Sequence, residues 1–505
     1  MFIALDDLKH RSVSAALWGA GGTVLRILLQ IVSQIIMARL LGPEQFGLFA
    51  TALVVLFMTS LFADAGLAYG IVQQPTVTSG NIRFIFTWQM VISTLIAIAL
   101  FWGAPSVAAA FADDRLAPLI QMLAVASIIA AAGGVSGALL RRQLDFRTLN
   151  IAAVVSYAIA FFGVGIPMAL AGFKVVALIT AFLLQGFIQT AMYYRQVHHP
   201  VKPLFWDKDG PSIISFGANV FATNVVNFLM SSLDRTIVSA LLGVTAAGLY
   251  ATMQNLINVP AQTALGALQP VFYSASSRMQ GNLAQLRQAY RAMLSAVFLF
   301  STPVFVAVAL VSHTFILALY GNKWEGGDTV LTPLALAVPA LLLMGLSTPV
   351  LWTAGFPRRE FLVQVPLLFV WVAVCYAAAK FGGLSAVSWS VLGMYVLRAA
   401  AIMGLTMSAV KMPVRELFGL LVPGIVVAGI VGGIAALAEY AAKQLPIAPQ
   451  AQLAFIVIAC GAAMVIALRM VRPLMSHDLK RLLAVAAARV PAGNARQAFG
   501  HVLGV

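Results

Sequence analysis

The sequence predicts an all-α polytopic membrane protein of about fourteen transmembrane helices, arranged as two parallel six-helix lobes followed by a C-terminal helix pair. Three observations predict it. The 505 residues are 61% hydrophobic and only 9% charged, with a mean hydropathy of +0.95, which leaves too little polar surface for a soluble globule. Apolar runs of about 20 residues, enough to cross roughly 30 Å of hydrocarbon, recur along nearly the whole chain. Finally, LLGPEQFGLFAT at Leu40–Thr51 returns as LLGVTAAGLYAT at Leu241–Thr252, each matched position offset by 201 residues. Gapless self-similarity of this kind marks an internal duplication.

The apolar cores lie at 16–40, 45–70, 84–102, 117–140, 149–170, 174–194, 213–241, 246–269, 292–319, 330–353, 361–379, 385–408, 417–438 and 451–471. The N-terminal MFIALDDLKHRS lacks the basic region, short apolar core and small-residue site of a cleaved signal, so the first span is expected to be retained. In the repeated turn, Gly42 and Gly243 stand where a long helix needs a C-terminal stop, and Pro43 restarts the chain in the first copy. Gly47 and Gly248 let the following helix pack closely. Six spans separate the copies, so both have the same orientation, and lobes of residues 1–205 and 206–410 are expected around a pseudo-twofold along the membrane normal. The polar, Pro-containing His198–Pro211 reads as the linker between them. Residues 411–475 add two spans without counterparts, and 476–505 form a basic tail.

The net charge of +15 is a statement about orientation before it is one about partners. Alternating the spans from a cytoplasmic N-terminus places twenty-two of the 31 basic residues inside and six outside, with Arg26, Arg235 and Arg398 within spans. Both termini are therefore expected in the cytoplasm, and nucleic acid is not an expected partner. Cys375 and Cys460 sit in apolar spans and suggest neither a disulfide nor a metal site. Met279–Leu294 and Leu479–Val490 read as amphipathic helices at the inner surface.

Polar residues inside spans carry the functional signal, because lipid penalises them and they must face protein or a water-filled cavity. The seventh span repeats Asn219, Thr223, Asn227, Ser231 and Arg235 every four residues, with Asp234 alongside, which places a polar stripe on one helix face. The first span carries Arg26, Gln30 and Ser33 at the positions equivalent to Asn227, Ser231 and Asp234. Gln254, Asn258 and Gln262 continue the pattern in the eighth span, and Asp64 stands near the inner end of the second. An ion pair between Asp234 and Arg235 is the structural alternative for that pair, and Asp64 has Arg83 or Arg26 as candidate partners. If the arginines line a cavity they make it cationic, and the planar guanidinium suits phosphate oxygens. Arg26, Gln30, Asn227, Ser231, Asp234, Arg235 and Arg398 are the candidate substrate-binding residues, and an anionic head group is the natural passenger.

The stretches ARLLGPEQFGLFA, SLDRTIVSALLGVTAAGLY, RRQLDF at Arg141–Phe146 and YGNKW at Tyr320–Trp324, in this order and spacing, resemble the polysaccharide transporter branch of the multidrug/oligosaccharidyl-lipid/polysaccharide exporter superfamily. Within it, the chain is most similar to the Wzx-type flippases. The resemblance implies alternating access and a lumen lined by spans one, two, seven and eight. It also implies a substrate of undecaprenyl-pyrophosphate-linked oligosaccharide, moved to the periplasmic leaflet of the bacterial inner membrane for surface polysaccharide assembly. Partners implied are membrane lipids and the polysaccharide polymerase and export machinery. No cofactor is expected beyond coupling to a proton or sodium gradient, with Asp64 and Asp234 as candidates.

The alternative within the same fold is an ion-coupled exporter of small or cationic solutes, which would favour carboxylates in its cavity, whereas arginine dominates here. A membrane-embedded polymerase or ligase would call for a substantial periplasmic loop with catalytic groups, and outside connections such as APSVAAAFADDRLAP are short. No P-loop, metal-spaced His/Cys cluster or nucleophile triad is visible, so no enzyme activity is expected.

Overall fold

A computed structural model describes residues 5–489, apart from 65, 66, 68–70, 72–76 and 280; side chains are described from residue 21 onward, apart from 61, 63, 64, 216, 218–220, 222, 223, 226, 227, 271, 274, 357 and 484–489. Every regular element among the described residues is helical. The helices are α1 Leu5–Leu41, α2 Pro43–Asp64, α3 Ser79–Ala110, α4 Leu116–Arg142, α5 Phe146–Leu170 and α6 Val175–Gln196. Gly210–Arg278 is two helices, α7 and α8, joined at Gly243. Then come α9 Leu283–Leu310, the short α10 Ser312–Leu319 and α11 Asp328–Thr353. Pro357–Ala409 is again two helices, α12 and α13, joined at Gly383, followed by α14 Val414–Gln444, α15 Pro449–Val471 and α16 His477–Arg489.

Twelve stretches among the described residues are long and apolar enough to cross a membrane. Two of them, of 51 and 52 residues, would each extend more than 70 Å as single helices, far beyond the hydrocarbon thickness. Each contains one of the joining glycines, at Gly243 (φ 80°) and Gly383 (φ 68°), so each is two passes. The expectation of about fourteen passes in an all-α membrane protein is met on this basis.

The duplicated turn repeats its conformation as well as its letters. Gly42 has φ 79° and Gly243 φ 80°, a left-handed backbone that glycine adopts without steric cost. Five residues after each of these glycines, the two copies touch. A Cβ at Gly47 would lie 1.6 Å from the carbonyl oxygen of Val244, and one at Gly248 would lie 1.9 Å from that of Pro43. Val244 is the counterpart of Pro43, and Gly248 of Gly47, so the contacts are reciprocal, as they are across a twofold axis. Lipid is as apolar as leucine, so helices in a membrane gain little by hiding apolar surface from it and gain instead from close approach of small residues.

The chain forms two compact units, residues Met1–Ala251 and Thr252–Val505. In the first, Leu48, Ala52 and Leu56 of α2 pack with Leu100 and Ala104 of α3, Leu119 and Leu123 of α4, and Ile179 of α6. α5 passes through a π-helical stretch at Ala158–Gly165 just before Pro167, which has no amide to donate. The linker is strapped to the start of α3. Asn81 donates to Asp207 (2.8 Å) and Asp209 (3.1 Å), Arg83 donates to the carbonyls of Lys202 and Pro203, and the amide of Leu204 donates to the Thr87 hydroxyl.

In the second unit α11 is the central helix, two thirds buried along its most apolar window despite Pro333, Pro339 and Pro349. Gly424 and Gly432 of α14 admit Phe298, Val306 and Leu310 of α9. Of the segment Met279–Leu294, residues from Leu283 onward are the first turns of α9, capped by Asn282 accepting from the amide of Gln285 (3.1 Å). The amphipathic α16 lays Leu479 and Leu483 into the core of α9, α14 and α15, so protein covers that face where the sequence pattern pointed to lipid. It is held there by polar contacts too: Arg291 meets Glu416 (3.2 Å) and Asp478 (3.3 Å), Arg287 pairs with Glu416, and Gln288 donates to Asp478.

Candidate functional site

The residues singled out in the sequence fall at several places. Arg26 and Gln30 are half-buried on α1. The Nε of Arg26 is buried without a hydrogen-bond partner, as are those of Arg287, Arg291 and Arg398. Ser33, one turn further, is buried and bonded to the Tyr157 hydroxyl of α5. On α7, Ser231 is exposed and returns its hydroxyl to the carbonyl of Phe228. Asp234 is 1% exposed and accepts from the Tyr250 hydroxyl (2.6 Å) and from the backbone amide of Arg235 (2.9 Å). The two equivalent positions, Ser33 and Asp234, are thus each tied to a tyrosine phenol. The side chains of Asn227 and Asp64 lie outside the described residues.

Arg398 belongs to the second unit and is engaged there. It donates to Gln364 (2.7 Å), its guanidinium lies 5.3 Å from the centre of the Trp371 ring, and Gln364 passes the connection on to Glu360 (3.0 Å). Such a stacked, bonded arginine holds α12 against α13.

A cavity of the first unit lies between α4 and α6, with a volume of about 770 Å³, within the roughly 300–1,000 Å³ range of small-molecule sites. Its α4 wall is Ala126, Ile129, Ala130, Gly133, Gly134, Gly137 and Arg141; its α6 wall includes Gln185, Gln189, Thr190 and Tyr193. Residues three and four apart share a helix face, which puts each set in one stripe. The glycines bring the two helices close: a Cβ at Gly133 would lie 2.5 Å from the Thr190 hydroxyl, and one at Gly137 3.4 Å from the Tyr193 ring. Gln189 donates to the Tyr193 hydroxyl (2.7 Å), and the Thr190 hydroxyl to the carbonyl of Ile129 (3.1 Å).

Charge gathers at one end of this cavity. Arg141 lies in its lining, and both Arg141 and Arg26 come close enough to act electrostatically on the Tyr193 phenol. No aspartate or glutamate is among the described lining residues. A cavity with the Arg141 guanidinium at one end, amide and hydroxyl groups along one wall and no carboxylate among its described lining residues can hold an anion beside a polar, uncharged group. Arg26 was legible in the sequence as a charge in the wrong solvent. Arg141 was counted among the cytoplasmic loop residues, and the α6 residues were passed over, although Gln185, Gln189 and Tyr193 show the same four-residue recurrence that drew attention to α7.

A model of the polysaccharide biosynthesis protein family matches residues 36–327. Lipopolysaccharide biosynthesis protein WzxC of Escherichia coli (strain K12) is 24% identical over 349 residues, covering 68% of this chain and 70% of the relative. Teichuronic acid biosynthesis protein TuaB of Bacillus subtilis (strain 168) is 23% identical over 390 residues, covering 76% and 80% respectively. Among solved structures, the lipid II flippase MurJ in its inward closed conformation superposes with a TM-score of 0.73 at 12% identity, covering 91% of this chain and 99% of that one, which fixes the likeness of fold. With a match over more than half of its length, this multi-pass membrane protein belongs to the polysaccharide biosynthesis protein family.

Proposed function

We propose that the protein is a flippase that carries undecaprenyl-pyrophosphate-linked oligosaccharide from the cytoplasmic to the periplasmic leaflet of a bacterial inner membrane, for assembly of surface polysaccharide. The observation that carries the reading is the cavity of the first unit, where Arg141 stands at the end of a wall of amide and hydroxyl groups, Arg26 acts on the Tyr193 phenol at the same end, and no carboxylate is among the described lining residues. A pyrophosphate needs paired cations, and the glycan needs uncharged hydrogen-bonding surface; the lipid tail stays in the bilayer. The family match and the relatives named for lipopolysaccharide and teichuronic acid biosynthesis support the same reading. It treats the protein as a transporter and not as an enzyme.

In this reading residues 1–205 and 206–410 are the two lobes, which give access alternately to each side, with 411–475 as an added helix pair and both termini in the cytoplasm. Arg235, Ser231 and Asn227 on α7 contribute to the pathway with Arg26 and Gln30. Arg398 supports the second lobe through Gln364 and Trp371. Asp234 and Asp64 are the carboxylates available for coupling to an ion gradient. Polymerase and export machinery would receive the product. A cationic-solute exporter is the weaker reading, because such a passenger would meet arginine and no carboxylate in the α4–α6 cavity.

The test is the leaflet distribution of undecaprenyl-linked oligosaccharide in cells with and without the protein. Accumulation on the cytoplasmic side in its absence, reversed by the intact gene and not by Arg26→Ala, is the expected result. An unchanged distribution with normal surface polysaccharide overturns the proposal.

A further inference from the structure

We infer that the α6 wall of this cavity, through Gln185, Gln189 and Tyr193, reads the sugar portion of the passenger and so sets which glycan is carried. The inference rests on the flippase reading and adds a division of labour within one cavity. The three side chains stand at four-residue intervals, a ladder about 12 Å long on one helix face. Across the cavity α4 presents Ala126, Ile129 and Ala130 beside Gly133, Gly134 and Gly137, so apart from Arg141 at one end the side chains able to hydrogen-bond along its length stand on the α6 side. Amide and phenol groups both donate and accept, as sugar hydroxyls do, and carry no charge. The Gln189 to Tyr193 hydrogen bond (2.7 Å) orients the ladder while leaving the amide oxygen and a second N–H of Gln189 for a ligand. Arg141 is the charged residue of the described lining and stands at the Tyr193 end, so an anion is held at that end and whatever is attached to it runs along the glutamines.

A ladder that pairs with hydroxyl groups rejects a passenger lacking them, because its own polar groups are then left unpaired, and discrimination of this kind is stronger than an apolar pocket can supply. Arginines that hold the pyrophosphate contribute equally for every glycan.

The test uses the full-length purified protein and two probes: undecaprenyl diphosphate without sugar, and the undecaprenyl-diphosphate oligosaccharide extracted from the host cells. Replacing both glutamines by leucine, which keeps their approximate size, is expected to weaken the glycosylated probe about thirtyfold for two lost hydrogen bonds and leave the bare diphosphate within about twofold. Equal loss on both probes, or no loss on either, overturns the assignment. Gln189→Leu and Gln185→Leu made singly, with size-exclusion profiles matching the parent, separate a folding defect from a recognition defect. Arg26→Gln with Arg141→Gln serves as the contrast. If that pair leaves binding of the bare diphosphate intact, the anion-binding reading of the preceding section fails, and it fails independently of the outcome for the glutamines.

Discussion

Replacing Gly47 by alanine should open the crossing of the two repeated turns. The added methyl would lie 1.6 Å from the Val244 carbonyl oxygen and 3.0 Å from the Gly248 amide nitrogen, and real Cβ atoms do not approach nearer than 3.0 Å. The obstacle is backbone, so no side-chain rotation relieves it, and the helices must separate by more than an ångström. Inserting a methyl group into a packed contact costs about 1–3 kcal/mol. For a chain of this size that corresponds to a fall of roughly 1–3 °C in apparent melting temperature, which a fluorescence-detected thermal shift in detergent resolves. Gly248→Ala should behave alike, since its methyl would meet the Pro43 carbonyl at 1.9 Å. The double variant should cost less than the sum, because the first methyl has already parted the crossing from which the second would suffer. Unchanged melting in both single variants, or strict additivity in the double, would refute the reciprocal contact as described.

Further outcomes are expected elsewhere. Arg26→Ala and Arg235→Ala should abolish transport while leaving folded protein, and lysine at Arg26 should rescue only in part because the planar fork is lost; surface polysaccharide in complemented cells is the readout. Tyr250→Phe removes a hydroxyl donor from the buried Asp234 and should destabilise by about 1–3 kcal/mol, whereas Asp234→Asn keeps an acceptor for Tyr250 but removes the charge, so loss of gradient dependence in a vesicle assay with folding intact would mark Asp234 as a coupling residue. Arg115 holds the Asp113 carboxyl below the usual aspartate range (2.8 Å) and also meets Glu44 (2.6 Å). The stabilisation this gives is fully present above the unfolded aspartate value of about 3.9 and is lost as pH falls through the lower folded value. Amide protection in the connection between α3 and α4, measured relative to the intrinsic exchange rate at each pH, should therefore be unchanged from pH 7 to 5 and fall below about 4. Glu416→Ala should loosen α16, which it anchors through Arg287 and Arg291, and amide exchange in His477–Arg489 should rise while α14 itself stays protected.

Much of this architecture is legible in the letters because the membrane simplifies the code. Length and hydropathy alone mark passes, and glycine at Gly42 and Gly243 marks where they end. The doubling of LLG announces a doubled turn, and the positive φ at both positions bears it out. What the letters hide is partnership. That Gly47 meets Val244 and Gly248 meets Pro43 requires knowing which way two distant helices cross. Arg83 is written among loop charges, yet it serves the linker carbonyls at Lys202 and Pro203. The α4–α6 cavity was missed for a related reason: Arg141 sits at a helix end where charge is ordinary, and only the packing of Gly133 and Gly137 on α6 turns that end into the mouth of a cavity. Polar residues in spans announce that they avoid lipid, but a sequence does not say whether a tyrosine, a backbone carbonyl or open space receives them.

The strap over residues 197–209 bears on how α7 can move. At its foot the chain is moored by Asn81 to Asp207 and Asp209, and a Cβ at Gly210 would already press within 3.1 Å of the Phe84 ring. At its head, just beyond Gly243, the chain is caught at the Gly47 crossing. A rod pinned at both ends has lost its freedom to swing. Between the two moorings the buried Asp234 is bonded to the Tyr250 phenol, which fixes the roll of the helix as well as its ends.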